Sequence, residues 1–200
     1  MSSRSARKTN VREPLAIVPT FIGAGKTERY YFGHLKNLFG YRLKAASGNF
    51  GNENIFYVEK KLKKVLEGGG RAICVFDADV ASWDESEKKK LMALRQKYAK
   101  NHDVLICDSF PSIEYWFLLH FKKSSKVFST CAEVEKELLT FIKGFAKTER
   151  FLSRSDWVEK MSSGGKLELA VSRAKEISKR IGASYSNVYK AIEELEKEKK

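Results

Sequence analysis

Apolar residues along the chain fall into two alternating patterns, which together predict its secondary structure. Short continuous apolar runs bounded by polar residues or turns are typical of strands buried on both faces. Three such runs are LAIVPTF at 15–21, RAICVFD at 71–77 and DVLICD at 103–108. A weaker alternation in YRLKAAS at 41–47 adds one further candidate strand.

Between these runs, apolar residues recur three or four positions apart, which is the spacing of one helix face. This spacing predicts helices at 28–39, from residue 55 to the glycines of EGGG at 67–70, and at 84–99. Strands that alternate with helices in this order predict an α/β fold with a mainly parallel sheet.

The pattern changes after the last apolar run. IEYWFLLHF at 113–121 is apolar on nearly all sides, and its length, with Pro111 just before it, favours a buried helix over a strand. The remaining apolar residues keep helical spacing to the C-terminus. We therefore predict an α/β domain at 13–120 and a helical extension at 121–200 packed on it, preceded by a flexible basic tail at 1–12.

Charge points to an anionic partner. The 200 residues include 38 Lys and Arg against 25 Asp and Glu, a net charge of +13. A positive field of this size attracts polyanions, and binding to nucleic acid is favourable because it releases counterions. DNA or RNA is therefore the expected partner. Lysines on solvated helix faces are the alternative explanation of the charge.

Composition also excludes several classes of protein. No stretch approaches the ~20 apolar residues that span a bilayer, and no apolar segment follows the basic N-terminus as in a signal peptide. Cys74 and Cys107 lie inside apolar runs, and the sequence has no C-x-x-C pair. We expect a cytoplasmic protein with free thiols, and neither a membrane association nor a structural zinc site.

The strongest candidate for chemistry is Asp77-Ala78-Asp79, at the end of the 71–77 strand. Ligands of open α/β sheets bind beyond the carboxyl ends of the strands, and residues two apart on an extended chain point to the same side. Two adjacent carboxylates repel unless a cation lies between them, and oxygen ligands select Mg²⁺ or Mn²⁺. Merely solvated loop acids are the alternative.

A second candidate is the segment 23–28, between the first strand and the first helix. Backbone amides at a helix N-terminus favour anions, which predicts a phosphate site. Its predicted contacts are Gly25, Lys26 and Thr27. Glu28 in the first helical turn also suits the helix dipole without any further role. GKT matches the end of a P-loop, G-x-x-x-x-G-K-[ST], except that Thr20 replaces its leading glycine.

A third candidate is Glu114, a carboxylate inside the apolar segment 113–121. An acid in such surroundings needs a cationic partner, a metal ion or a protonated state. A functional role and a structural ion pair both satisfy this requirement.

Four segments together resemble the RloB-like family, over about residues 15–197. They are GAGKTERYYF, VFDAD, FPSIEYWFLLHF and SNVYKAIEEL. The family is associated with bacterial restriction and abortive-infection loci, commonly beside an ATPase, and its fold is thought to be related to the Toprim domain. In Toprim proteins, a Glu after the first strand and an Asp-x-Asp after a later strand hold Mg²⁺ for phosphodiester chemistry.

The resemblance implies roles for particular residues. Asp77 and Asp79 match the Asp-x-Asp, whereas Gly23 stands where the family usually has Glu. Either Glu28 or Glu114 supplies the missing carboxylate, or the protein binds without turnover.

The resulting hypothesis is a Toprim-type nuclease that depends on Mg²⁺ or Mn²⁺ and acts against phage or foreign DNA. Its predicted catalytic residues are Glu28, Asp77, Asp79 and Glu114, with the metal held by Glu28, Asp77 and Asp79. The alternatives are a non-catalytic subunit that binds nucleic acid or an ATPase partner, and a degenerate P-loop NTPase.

Overall fold

A five-stranded sheet forms the centre of the molecule. The computed structural model describes residues 17–46, 54–79, 84–124, 126–178 and 182–199. Within these ranges the strands are β1 (Thr20–Gly23), β2 (Lys44–Ala45), β3 (Ala72–Asp77), β4 (Val104–Phe110) and β5 (Tyr185–Ser186). Their order is β2-β1-β3-β4-β5; the first four run parallel and β5 runs antiparallel to β4. The predicted α/β fold with a mainly parallel sheet is confirmed.

Helices cover both faces of this sheet and make up most of the C-terminal half. They are α1 (Lys26–Phe39), α2 (Ile55–Glu67), α3 (Glu85–Tyr98), α4 (Ile113–Leu119), α5 (Cys131–Leu138), α6 (Glu149–Leu152), α7 (Asp156–Ser162), α8 (Lys166–Ile177) and α9 (Val188–Lys197). The helices predicted at 28–39, 55–67, 84–99 and 113–121 are confirmed within two residues at each end, as α1, α2, α3 and α4. Across the described ranges, no helix has both the length and the apolar character that a bilayer crossing requires.

The first strand was predicted too early, at 15–21. β1 begins at Thr20, directly after Pro19, and Ile17 is half exposed. Proline has no N–H to donate, so a strand with neighbours on both sides cannot run through it. Because β1 extends to Gly23, only two residues separate it from α1.

The prediction that everything from residue 132 onward is helical was wrong at 139–148, which form turns after α5, and at Tyr185–Ser186. Tyr185 and Ser186 form β5, which pairs with Ser109 and Phe110 at the end of β4. The hydroxyls of Ser109 and Ser186 are hydrogen-bonded at 2.8 Å and fully buried. Two residues are too few to carry a recognisable alternation, so only the tertiary pairing defines this strand.

Alternate residues of the strands face two separate apolar clusters, as the pleat of a sheet requires. Ile22 and Cys74 face the cluster made with α2 and α3. Phe21 and Cys107 face the larger cluster, which α1, α4 and the C-terminal helices complete. Cys74 and Cys107 are buried free thiols, as predicted. The division at residue 120 stays a prediction, and the tail at 1–12 lies outside the described residues.

Candidate functional site

The carboxyl end of β3 is joined to the start of α4 by a side chain. Asp77 Oδ1 accepts a hydrogen bond of 2.8 Å from the backbone N–H of Ile113, the first residue of α4. Just beyond, the N–H of Ala78 donates to the carbonyl of Ser109 at 2.8 Å, which keeps the chain aligned with β4. Burial raises the pKa of Asp77 well above its usual value, and the charges of Glu28 and Glu114 raise it further.

Glu28 lies in the first turn of α1, three residues after the N-cap Gly25. Its side chain is 4% exposed, and backbone N–H groups of Glu28 and Gly25 stabilise its carboxylate, as in a capping box. Burial nevertheless raises the pKa of Glu28 to about 7, and the charge of Glu114 contributes to this rise. Glu28 is therefore a carboxyl group that exchanges a proton near neutral pH.

Glu114 is fully buried and forms an ion pair with a lysine from the helical half. Lys147 Nζ lies 3.0 Å from Glu114 Oε1 and 2.9 Å from Glu135 Oε1. The same ammonium contacts Cys131 Sγ at 3.0 Å, and this thiol donates to Glu114 Oε2 at 3.3 Å. Burial alone would lower the pKa of Lys147, but Glu114, Cys131 and Glu135 raise it above its usual value.

Three of the four predicted acids therefore influence one another electrostatically at the carboxyl edge of the sheet. Glu28, Asp77 and Glu114 lie close enough for their charges to act on one another, and Lys147 partly compensates them. They belong to α1, β3 and α4, far apart in the sequence. Asp79 is partly buried and immediately precedes residues 80–83, which lie outside the described residues. Its role as a metal ligand stays a prediction.

The tightest group of potential metal ligands is a different one. In the part of the chain that the structure describes, only Glu114, Cys131 and Glu135 bring three ligand atoms within 4.8 Å of one another. The ammonium group of Lys147 contacts all three, so this group already has a cation. Sequence reasoning missed Cys131, Glu135 and Lys147. The expectation that Glu114 needs a partner indicated that a cation lies nearby, but it did not identify Lys147 as that cation.

Phe21 and Glu28 fill the space beside Gly23. A Cβ atom at Gly23 would lie 2.8 Å from a ring carbon of Phe21 and 3.3 Å from Glu28 Cβ. A side chain at this position would therefore displace both neighbours. In this chain, Glu28 is the acid that lies against the end of β1.

The helix N-terminus after β1 does not have the geometry of a P-loop. Residues 20–23, which would form most of that loop, pair with β2 and β3 as strand β1. The Glu28 carboxylate lies against Gly25, where an added Cβ would be 2.7 Å from Glu28 Oε2. An acid thus occupies the position that a phosphate would need. Of the predicted phosphate contacts, Thr27 is buried and Lys26 is exposed.

The buried hydroxyl at the start of α4 lies beside the Cys131 thiol, at a geometry that is not a regular hydrogen bond. Ser112 is the N-cap of α4, and its Oγ is fully buried without a hydrogen-bond partner among the described residues. An orphaned hydroxyl is costly unless a ligand or ion satisfies it. The carboxylates of Glu28, Asp77 and Glu114 offer the oxygen ligands that Mg²⁺ and Mn²⁺ prefer, but within the described residues they do not bring three ligand atoms within 4.8 Å of one another.

The chain belongs to the RloB-like family. The family model described as RloB-like protein matches residues 21–195, a span that includes all four predicted acids. Searches of curated proteins and of solved structures found no match. The relationship to Toprim domains stays a prediction.

Proposed function

We propose that the protein is a divalent-cation-dependent, phosphodiester-cleaving enzyme of nuclease type, acting on DNA or RNA in bacterial defence against phage or foreign DNA. The observation that carries the proposal is the electrostatic interaction of Glu28, Asp77 and Glu114 at the carboxyl edge of the sheet, where Glu28 and Glu114 are buried and Asp77 is half-buried. Perturbed carboxyl pKa values of this kind cluster at functional sites. Ligands of parallel α/β sheets also bind at this edge.

The electrostatics of the site favour a bound cation. Burial and mutual repulsion raise the pKa of Glu28 to about 7 and that of Asp77 well above its usual value. Repulsion between like charges is relieved when a divalent cation binds beside them. Glu28 and Asp77 would hold the ion, with Asp79 as the further ligand that the family pattern implies.

The chemistry that such a cation supplies is Lewis-acid stabilisation of phosphate charge and acidification of water. Around it, the side chains of the protein have separate tasks. Glu28 either completes the set of metal ligands or, with its pKa of about 7 in the ion-free site, serves as the general base. Lys26 is exposed two residues before Glu28, at the first position of α1, and can contact a phosphate oxygen. The net charge of +13 attracts the polyanion.

Cleavage assays test this proposal directly. Plasmid DNA and tRNA are incubated with the wild type, Asp77→Asn and Asp79→Asn, with and without Mg²⁺ or Mn²⁺. We expect metal-dependent cleavage by the wild type and a loss of at least about 100-fold in both variants. Asp103→Asn is the matched control, because that carboxylate is 60% exposed and precedes β4 at the opposite end of the sheet. Absence of cleavage with every metal, or equal cleavage by all four proteins, would reject the proposal.

One observation favours a second candidate, a non-catalytic subunit that binds nucleic acid or an ATPase partner. Lys147 already pairs with Glu114 and Glu135, so part of the acidic cluster is neutralised by the protein itself. This candidate predicts nucleic-acid binding that weakens steeply with salt, without metal-dependent turnover. Gel shifts at increasing salt, run beside the cleavage assays, distinguish the two.

A further inference from the structure

Strand β4 has an open edge. On one side it pairs with β3 along its whole length, whereas on the other β5 pairs only with Ser109 and Phe110. The chain then leaves the sheet at Asn187 and enters α9. Among the described residues, no strand lies beside Val104–Cys107 on this side.

The backbone groups of the open segment alternate between the β3 side and the open side of β4. Asp103 and Ser109 accept hydrogen bonds from Ala72 and Ala78, so odd-numbered residues of β4 direct their backbone groups toward β3. The carbonyl of Asp108 instead accepts from the N–H of Asn187, on the opposite side. Because these directions alternate along a parallel strand, the N–H and C=O of Ile106 point to the open side.

A groove runs along this edge. It has a volume of about 550 Å³ and lies between the end of α3 and the start of α9, with Val104–Ile106 along one wall. The rings of Tyr98 and Tyr185 and the side chain of Lys190 also line it. The groove therefore combines a strand edge with aromatic surface and a cationic group.

The groove carries net positive charge. The buried carboxylate of Asp108 is held by Arg95, by Tyr185 Oη at 2.7 Å and by Asn187 Nδ2 at 3.0 Å. Arg95 and Asp108 thus compensate each other. Lys190 forms no ion pair with any residue that the structure describes, and its ammonium lies 6.0 Å from the centre of the Tyr189 ring. Its charge is therefore not compensated by a carboxylate of the described residues.

We propose that this groove binds an extended, acidic peptide segment of a partner protein, which adds a strand to the sheet beside Val104–Ile106. Backbone hydrogen bonds to Ile106 would provide affinity, and an acidic side chain opposite Lys190 would provide specificity. A second copy of this chain fits poorly, because two chains of net charge +13 would bring their lysines together. On the same side of β4, the N–H of Val104 already donates to the carbonyl of Asn101 at 3.2 Å, which leaves the N–H and C=O of Ile106 for a partner. A nucleic acid matches the charge but not this backbone donor and acceptor pair.

The experiment uses the full chain and a phage-displayed library of random decapeptides. We expect selected peptides in which Asp or Glu alternates with β-branched residues. Lys190→Glu should weaken their binding about tenfold in fluorescence anisotropy, because it reverses the charge that faces the acid. Lys89→Glu is the matched control, since Lys89 is exposed on α3 but does not line the groove.

Hydrogen exchange on the wild type supplies a second measurement, which does not depend on how the variants fold. The Ile106 amide should exchange faster than those of Leu105 and Cys107, and a selected peptide should slow it at least tenfold. The proposal is overturned if no peptide is enriched, if Lys190→Glu binds the peptides as tightly as Lys89→Glu, or if Ile106 exchange is unchanged by them. Protection of Ile106 by a single-stranded 12-mer oligonucleotide and by no peptide would also overturn it.

Discussion

Replacing Glu28 by Gln should remove a pH-dependent cost that the wild-type fold carries. The pKa of Glu28 is about 7 in the folded protein, compared with an ordinary value of 4.5. The folded state therefore binds more protons than the unfolded state between these values, and stability falls as the pH rises through that window. The difference corresponds to about 3 kcal/mol, reached in full above pH 7. Glutamine keeps the shape and an oxygen that accepts from Gly25, but it cannot ionise.

The assay is urea unfolding of the wild type and Glu28→Gln at pH 5, 6, 7 and 8. We expect similar free energies of unfolding at pH 5 and an advantage of about 2–3 kcal/mol for the variant at pH 8. Other titrating groups, including His120, contribute equally to the stability of both proteins, so their contributions cancel in the difference between the two. Burial lowers the pKa of His120 to about 3, together with the charges of Arg173 and Lys166, so its contribution to stability rises with pH through 6.5. Glu67→Gln, a change at an exposed carboxylate, should follow the wild type. If Glu28→Gln has the same free energy of unfolding as the wild type at every pH, the reasoning about this site is wrong.

Three further predictions concern the same region. Lys147→Met leaves Glu114 buried without its cation and should lower the free energy of unfolding at pH 7 by about 2–3 kcal/mol. This is less than for a fully buried pair, because Lys147 is 40% exposed. An unchanged midpoint in urea would contradict this prediction. Gly25→Ala places a Cβ 2.7 Å from Glu28 Oε2 and should destabilise the folded protein by about 1–3 kcal/mol. Its control is Gly33→Ala, inside α1, where the added Cβ meets nothing within 4 Å. That variant should stabilise the protein by about 0.5–1 kcal/mol. Mn²⁺ at ten times its Kd should raise the wild-type Tm by about 3–5 °C but leave that of Asp77→Asn unchanged, and equal shifts would place the ion elsewhere.

The sheet and its surrounding helices were predictable because local patterns encode them. The run RAICVFD predicts β3 with little ambiguity, since continuous apolar residues suit a strand that is covered on both faces. Helix α4 followed from the unbroken apolar character of 113–121. The carboxyl ends of parallel strands share one edge, which is why Asp77 was expected at a ligand-binding position.

What the sequence did not reveal depends on contacts between distant segments. No local pattern joins Glu114 to Lys147, because a lysine in a turn after α5 resembles any solvated lysine until the chain folds. The P-loop alternative likewise depended on where β1 ends. Hydrogen bonds to β2 and β3 decide that boundary, and they extend the strand through Gly23.

The ion pair between Glu114 and Lys147 links the edge of the sheet to the helical half, and it constrains how the sequence can diverge. Losing the lysine alone leaves an uncompensated charge in the interior, while losing the glutamate alone removes the lysine's main partner. We expect these two positions to change together among relatives, each keeping both charges or neither. A relative with glutamate at the first position and an apolar residue at the second would need a cation from elsewhere to fold.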